Sequence, residues 1–155
     1  MTRKEEIEKL VETSAPVFEE TSDKIWGYAE LCYEETQSSA LQKKVLRELG
    51  FSIQEVKNMP TAFIASYGEG HPIVAILGEY DALANLNQEA DCDVHKPMEP
   101  GKPGHGCGHN LLGTASMCAV NAVKNYLQAH NLPGTIRYYG CPAEEGGSAK
   151  TFMVR

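Results

Sequence analysis

The stretch Ile73-Val-Ala-Ile-Leu77 is apolar at every position, and it is the most direct indication of the fold. A strand with one face in water alternates apolar and polar residues, whereas a strand covered on both faces is apolar throughout. The stretch therefore predicts a strand that is covered on both faces by other parts of the chain. We expect it to lie at the centre of a sheet, away from the edges.

Three further strands are predicted around this stretch. The candidates are rich in β-branched and aromatic residues and cover residues 51–56, 61–67 and 135–140. Residues 68–72 read Gly-Glu-Gly-His-Pro, a sequence that favours a turn. The segments 61–67 and 73–77 are therefore expected to pair as a hairpin.

Helices are predicted before, between and after these strands. Apolar residues recur mostly at three- and four-residue steps from residue 7 to residue 32, which indicates an amphipathic helix that Pro16 should kink or split. The other helices are expected at 37–49 (ended by Gly50), at 111–128 (capped by Asn110) and from Ser148 onward. The alternation of helices with buried strands predicts an α/β fold, with helices packed on a mixed, largely parallel sheet.

Composition and charge restrict the class of protein. The chain has 155 residues, of which 42% are hydrophobic and 23% charged, as in globular domains. Its formal net charge of −7, with no Lys/Arg patch, argues against nucleic acid as a partner. No apolar run approaches the roughly 20 residues that cross a bilayer. The charged N-terminus does not resemble a secretory signal, so the five cysteines are expected to be reduced thiols in a cytoplasmic protein.

Two motifs carry residue types that are suited to chemistry. In Gly104-His-Gly-Cys-Gly-His-Asn-Leu-Leu-Gly113 a thiol and an imidazole lie two residues apart, each flanked by glycine. A glycine-rich loop can turn so that Cys107 and His109 aim at one point. Further along the chain, Glu144 and Glu145 follow a predicted strand. Thiolate, imidazole and carboxylate are ligands of zinc-like metals, and a second carboxylate beside them suits the proton acceptor of a metal-assisted hydrolase.

Each of these residues also has an ordinary explanation when it is taken alone. Cys107 could be a buried thiol, and His109 a hydrogen-bonded loop histidine. The Glu144-Glu145 pair could be part of a solvated surface. Together they favour a site, because both motifs lie next to predicted buried strands, and open α/β sheets bind ligands beyond the carboxyl ends of their strands.

Four segments resemble subfamily D of the peptidase M20 family, which includes amidohydrolases acting on N-acyl amino acids and on auxin conjugates. The segments are GHGCGHNLLGTAS (104–116), GCPAEEGGSAKTFMVR (140–155), TAFIASYGEG (61–70) and VAILGEYDAL (74–83). The resemblance runs from about residue 25 to residue 155. It implies the fold of a zinc-peptidase-like catalytic domain.

The resemblance also implies roles for individual residues. By it, Cys107, His109 and Glu145 are metal ligands and Glu144 is the general base. It implies two divalent metal ions, Zn²⁺ or Mn²⁺, and hydrolysis of the amide bond of an N-acyl or N-aroyl amino acid similar to p-aminobenzoyl-glutamate.

The family's further histidine ligands, and its lid and dimerisation domain, lie beyond the equivalent of residue 155. Residues 1–155 are therefore expected to be the N-terminal part of the catalytic domain. A homodimer is implied for the complete enzyme only.

Other candidate residues lie near these motifs. Asp81 follows the predicted strand 73–77, where the family places acidic residues near the metals. Asp81 either orients a metal ligand by contacting it, without binding the metal itself, or begins a turn. Glu79 is similar but has less support, and His105 is expected to be structural. The cluster Asp91-Cys-Asp-Val-His95 matches no metal-binding spacing and is expected to be a solvated loop.

Two alternatives to a metal-dependent amidohydrolase remain open. The chain could be a truncated, non-catalytic relative that binds metal weakly or serves as an interaction module. Few elements follow Gly140 to cover a sheet, which agrees with an incomplete domain. A thiol enzyme, in which a histidine base activates Cys107, is a further hypothesis, but it gives the paired glutamates no role.

Overall fold

Helices and strands alternate along the chain in a computed structural model. The structure describes residues 1–154, so the last residue of the predicted domain 1–155 lies outside the described residues. The helices are α1 (Arg3–Tyr28), α2 (Thr36–Glu48), α3 (His109–Ala129) and α4 (Ala149–Met153). The strands are β1 (Ser52–Val56), β2 (Met59–Glu69), β3 (Ile73–Glu79) and β4 (Gly134–Cys141). Each predicted strand is present, with ends that differ from the prediction by at most two residues.

The strands form one mixed sheet in the order β1-β2-β4-β3. The pairs β1/β2 and β2/β4 are antiparallel, whereas β3/β4 is parallel. The predicted α/β class with helices on a mixed sheet is confirmed. The expectation that the sheet is largely parallel is wrong for the described residues, because only one of these three pairings is parallel.

The predicted hairpin between β2 and β3 is also wrong, because β4 lies between these two strands. Near the end of β2, Gly68 has a φ of +81°, and a Cβ there would lie 2.2 Å from the carbonyl oxygen of Gly134. The chain then passes the start of β4, where the Thr135 amide donates to the carbonyl of Pro72 at 2.9 Å. A tight reversal is needed for both arrangements, so the turn residues cannot distinguish them.

Residues 73–77 lie in β3 at an edge of the sheet, and the prediction of a central strand is therefore wrong. Ile73, Val74 and Leu77 are 47%, 50% and 46% exposed. The outer side of β3 pairs with no strand among residues 1–154. An uninterrupted apolar run shows that its side chains suit burial, but the neighbours that would bury them belong to other segments.

The core lies between the sheet and the helices. α2 and α3 pack on the sheet, and α1 packs against both of these helices. The main buried cluster draws large side chains from these layers, among them Phe63, Ile136, Tyr138, Leu46 and Met117. Gly113 brings α3 close to β3, because a Cβ there would lie 2.3 Å from the carbonyl oxygen of Glu79. None of the described helices has the length and apolarity needed to span a membrane.

The structure corrects the prediction that Asn110 caps α3 and narrows the prediction that Pro16 kinks or splits the first helix. α1 is one continuous helix that contains Pro16, so it is not split. The proline removes one backbone hydrogen bond, and the packing of α1 against its two neighbours maintains the helix through this point. Asn110 does not cap α3, because Gly108 occupies the N-cap at a φ of 79°. The Asn110 side chain instead donates to Oγ of Ser22 at 3.0 Å.

Candidate metal centre

The two sequence motifs meet at the carboxyl ends of the parallel strands β3 and β4. Glu79 ends β3 and is in register with the last residue of β4. The chain continues from β3 to Asp81 and from β4 to the Glu144-Glu145 pair, and α3 begins at His109. The carboxyl ends of parallel strands lie at the same edge of a sheet, so these side chains converge there.

Glycines shape the loop that carries Cys107 into the site. Gly104 forms hydrogen bonds in both directions with the backbone of Leu83 at 3.0 Å. A Cβ on Gly104 would lie 2.1 Å from the carbonyl oxygen of Leu86. Gly108 has a φ of +79°, a left-handed conformation that is costly for other residues. The loop is therefore held at its start and turned at its end, which places Cys107 beside His109.

His109 is the centre of the cluster, and it is only 2% exposed. Its Nδ1 lies 3.0 Å from Oδ1 of Asp81 and 3.1 Å from the carbonyl oxygen of the same residue. Both of these neighbours are acceptors, so Nδ1 carries a proton and donates a hydrogen bond to Asp81. Nε2 then faces the other carboxylates, at 3.1 Å from Glu79, 3.7 Å from Glu144 and 3.9 Å from Glu145.

Two overlapping groups of atoms could each hold an ion, because the atoms of each group lie within 4.8 Å of one another. One group is Cys107, His109 and Glu145, the three residues that the sequence analysis expected to be ligands. The other is Glu79, His109 and Glu144. The side chain of Glu144 is 41% exposed and that of Glu145 is 23% exposed, so Glu144 is the more open to an incoming molecule.

The charges around His109 fit a divalent cation. Carboxylates of Glu79, Asp81, Glu144 and Glu145 surround this one imidazole. The hydrogen bond with Asp81 is the main cause that raises the pKa of His109, against the opposing effect of burial. Carboxylates at this spacing repel one another, and a cation among them relieves the repulsion. The set of sulfur, nitrogen and oxygen donors is also one that zinc accepts, so the residues fit the metal that the motifs imply.

Asp81 connects His109 with the paired glutamates. It is 1% exposed, and its Oδ2 accepts the backbone N–H of Glu145 at 2.8 Å while its Oδ1 binds His109. Burial alone would raise the pKa of Asp81, but the hydrogen bonds from His109 and Glu145 outweigh it and lower that pKa. Of the two possibilities left by the sequence, this placement favours a residue that orients a ligand over one that only begins a turn.

Glu79 and Lys150 lie closer to the site than the sequence indicated. As an acidic residue near the metals, Glu79 had less support from the sequence than Asp81. One of its oxygens nevertheless faces His109, and the other contacts the ammonium of Lys150. No motif in the sequence points to Lys150. Glu79 lies near the site because it ends β3 in register with the end of β4. This position could have indicated its role, but only if the pairing of β3 with β4 had been known.

The remaining candidates lie outside the cluster. Nε2 of His105 is 3.0 Å from the carbonyl oxygen of Ile25, which agrees with the structural role expected for it. Residues 91–95 are exposed or half-exposed and lie outside the helices and strands. In the described part of the chain, neither group of candidate ligands includes a residue from 91–95. This placement agrees with a solvated loop.

The environment of Cys107 does not favour a thiol nucleophile. A hydrogen bond with Glu145, burial and the surrounding carboxylates, in that order, raise the pKa of the Cys107 thiol. A nucleophilic cysteine needs the opposite, a thiolate stabilised by positive neighbours. The thiol-enzyme hypothesis therefore lacks electrostatic support.

Comparison with known proteins relates this geometry to a family. The sequence profile described as "Peptidase family M20/M25/M40" matches residues 75–154. The chain is 49% identical over 150 residues to a p-aminobenzoyl-glutamate hydrolase subunit of Escherichia coli (strain K12), covering 96% of this chain and 31% of that protein. It is 36% identical over 126 residues to IAA-amino acid hydrolase ILR1-like 4 of Arabidopsis thaliana, covering 81% of this chain and 27% of that protein.

A solved structure shows the same fold. The crystal structure of a dinuclear metal binding peptidase of the M20 family from Bacillus subtilis matches with a TM-score of 0.71 and 24% sequence identity. The match covers 99% of this chain and 40% of that chain. The chain thus spans 31% and 27% of the length of the two curated relatives.

Proposed function

Because the chain belongs to peptidase family M20/M25/M40, we propose that it supplies metal ligands and the general base of a metal-dependent amidohydrolase. The proposed reaction is hydrolysis of the amide bond of an N-acyl or N-aroyl amino acid. A p-aminobenzoyl-glutamate-like molecule is the first candidate, because of the 49% identity to the E. coli hydrolase. The observation that carries the proposal is the convergence of Cys107, His109 and Glu145 within 4.8 Å.

The proposed ligands of the metal are Cys107, His109 and Glu145, and the proposed cofactor is a pair of divalent ions, Zn²⁺ or Mn²⁺. When bound, such ions lower the pKa of water and polarise the scissile carbonyl. Asp81 holds Nδ1 of His109, so that Nε2 is presented as the donor atom. A catalytic zinc ion takes four or five ligands, so three donors leave positions for water, substrate and further donors.

Glu144 is the proposed proton acceptor. Its carboxylate lies 3.7 Å from Nε2 of His109 and is the more exposed of the pair. It takes a proton from the attacking water and later delivers it to the departing amine. Glu145 suits the role of ligand, because its carboxylate belongs to the group with Cys107 and its backbone amide is held by Asp81.

The proposal extends to partners and location. The substrate is a small molecule, and nucleic acid is not a partner because a net charge of −7 offers phosphates no basic surface. We propose a homodimer for the complete enzyme and a location in the cytoplasm. The E. coli relative is named as one subunit of a hydrolase, which makes the assembly of the whole protein worth measuring by sedimentation.

Cobalt substitution tests the metal ligands. We expect the Co²⁺-loaded chain to show a thiolate-to-metal charge-transfer band, because Cys107 is one of the proposed donors. Cys107→Ser should abolish the band. Cys92→Ser is the matched control, since Cys92 lies in the loop 91–95 outside the cluster. A band that survives Cys107→Ser, or that disappears with Cys92→Ser, contradicts the assignment.

Activity measurements on residues 1–155 can eliminate the main rival, a non-catalytic module that binds metal weakly. We expect residues 1–155 alone to bind metal weakly and to hydrolyse p-aminobenzoyl-glutamate and a panel of N-acyl amino acids at no measurable rate, because three donors cannot fill two metal sites. Chelator-sensitive turnover that Glu144→Gln abolishes would show a working site in this chain alone and would eliminate the rival.

A further inference from the structure

Two glutamates near the start of α2 have opposite environments. The carboxylate of Glu30 accepts hydrogen bonds from the Gln37 and Ser38 amides at 2.9 and 2.8 Å and from two hydroxyl groups, so it satisfies the helix N-terminus. Glu35 is the N-cap residue itself, yet its side chain forms no capping bond. It is fully buried, and its Oε2 has no hydrogen-bond partner among the described residues. Capping α2 therefore does not explain why a carboxyl group is buried at position 35.

A side-chain hydrogen bond of Glu35 leads to the candidate metal centre. Its Oε1 accepts the backbone N–H of Ala143 at 2.7 Å, in the buried interior. Ala143 follows Pro142, which has no N–H, and it immediately precedes Glu144. Ala143 also has a φ of +54°, a left-handed conformation that is uncommon for alanine and that needs support from its surroundings.

Residues 143–147, here termed the glutamate turn, are held at three points. Glu35 holds the amide at its start, and Asp81 accepts the Glu145 amide at 2.8 Å in the middle. The hydroxyl of Tyr33 donates to the carbonyl of Gly147 at 2.6 Å at the end. Two of these three contacts come from residues just before α2, which form no part of either metal motif. The proposed base and the proposed ligand lie between these points.

We propose that Glu35 is a positioning residue, which fixes the backbone of the glutamate turn so that Glu144 and Glu145 face the metal centre. This inference rests on the proposed function for the roles of the two glutamates. Glu35 acts through the Ala143 amide and touches neither metal nor substrate.

The chemistry at position 35 requires an acceptor and does not require a charge. Burial is the main cause that raises the pKa of Glu35, and it outweighs backbone hydrogen bonds, among them that of Ala143, which lower this pKa. A glutamine at this position offers a carbonyl oxygen to the same amide, whereas a methionine fills similar space without an acceptor. Glu35→Gln and Glu35→Met therefore separate the hydrogen bond from the volume of the side chain.

Hydrogen exchange measured by mass spectrometry on the metal-free chain tests the inference directly. In Glu35→Met we expect amides of the glutamate turn to exchange about tenfold faster, because a hydrogen bond to a carboxyl group is lost. Glu35→Gln should keep exchange within about twofold of the wild type, since the acceptor remains. Exchange in the centre of β4 should not change in either variant.

A matched control and a second replacement make the result decisive. Ser39→Ala removes a buried hydroxyl one turn further along α2, and it should leave exchange in the glutamate turn unchanged. Glu35→Ala is measured beside Glu35→Met, so that the result does not depend on one replacement folding, and circular dichroism reports the fold of each. Unchanged exchange in the turn of a folded Glu35→Met or Glu35→Ala variant would overturn the inference, as would equal acceleration in Glu35→Gln.

A cobalt titration of the same variants tests the consequence for the metal. Loss of the acceptor at position 35 should weaken Co²⁺ binding by about 10- to 100-fold, the usual effect of removing a group that orients a ligand, while Glu35→Gln should bind like the wild type. Wild-type affinity in Glu35→Met would contradict the inference. A wild-type chain that shows no thiolate band contradicts the proposed metal ligands instead, and hydrogen exchange still decides whether Glu35 holds the turn.

Discussion

At the scale of the residue, backbone anchoring gives two adjacent glutamates different surroundings. The Glu145 amide is held by Asp81, and its carboxylate groups with Cys107 and His109. Glu144 is exposed over 41% of its side chain. Identical side chains can therefore serve as a fixed ligand and as an accessible base, because the backbone of the turn points them differently.

This difference predicts separate effects of the two conservative substitutions in the complete enzyme. Glu144→Gln should reduce kcat by about 10²- to 10⁴-fold, because the proton acceptor is lost, while metal content stays at the wild-type value. Glu145→Gln should lose metal as well as activity. Metal analysis by inductively coupled plasma spectrometry, alongside steady-state kinetics, makes the comparison. Equal metal loss in both variants would mean that the two roles are assigned wrongly.

At the scale of the element, the start of α2 depends on a carboxylate from outside the helix. Glu30 lies in the connection between α1 and α2 and accepts the Gln37 and Ser38 amides, which have no partner within the helix. Burial alone would raise the pKa of Glu30, but these hydrogen bonds outweigh it and hold the pKa below its ordinary value of 4.5. The negative charge also interacts favourably with the helix dipole.

The lowered pKa predicts a stability that depends on pH. A carboxyl group whose pKa is lower in the folded state contributes its stabilisation above the unfolded pKa and loses it as the pH falls through the folded pKa. Glu30→Gln should therefore lower the free energy of unfolding by about 1 kcal/mol at pH 7. The difference in unfolding free energy between this variant and the wild type should shrink as the pH falls below the ordinary pKa of 4.5. Urea unfolding of both proteins from pH 7 downward measures it, and a difference that does not vary with pH would contradict the prediction.

At the scale of the whole molecule, the sheet has an apolar side that the described chain does not cover. Ile73, Val74 and Leu77 are each close to half exposed on the edge strand β3. Beside them lies an open hollow of about 500 Å³, whose lining includes Leu77, Tyr139 and Met153. A long apolar edge strand is a template for pairing with another chain.

The uncovered edge predicts self-association of the purified 155-residue chain. Sedimentation velocity should show a rising average mass with concentration, because burial of the edge removes apolar surface from water. The double variant Ile73→Lys and Leu77→Lys should reduce association, since lysines on an edge strand oppose pairing. Val17→Lys is the control, because Val17 is 46% exposed but lies on α1, away from this edge. Association that persists unchanged in the double variant would place the interface elsewhere.

The local sequence was sufficient to identify the elements and the chemical groups of the site. Helices and strands were predicted near their observed positions because periodicity and turn residues act over a few neighbouring positions. The glycines around Cys107 indicated a loop that could turn, and the structure places that thiol beside His109 and Glu145. The donor types are properties of the residues themselves, so they could be read without a structure.

Only the tertiary structure decided how these parts are arranged. The insertion of β4 between β2 and β3, and the edge position of residues 73–77, depend on pairing between segments far apart in the chain. The same is true of the contacts of His109 with Glu79 and of Glu35 with Ala143. A local pattern shows which side chains suit burial or a turn, but not which distant residue will meet them. Strand order, the orientation of the His109 ring and the hold of Glu35 on the glutamate turn are therefore properties of the folded chain.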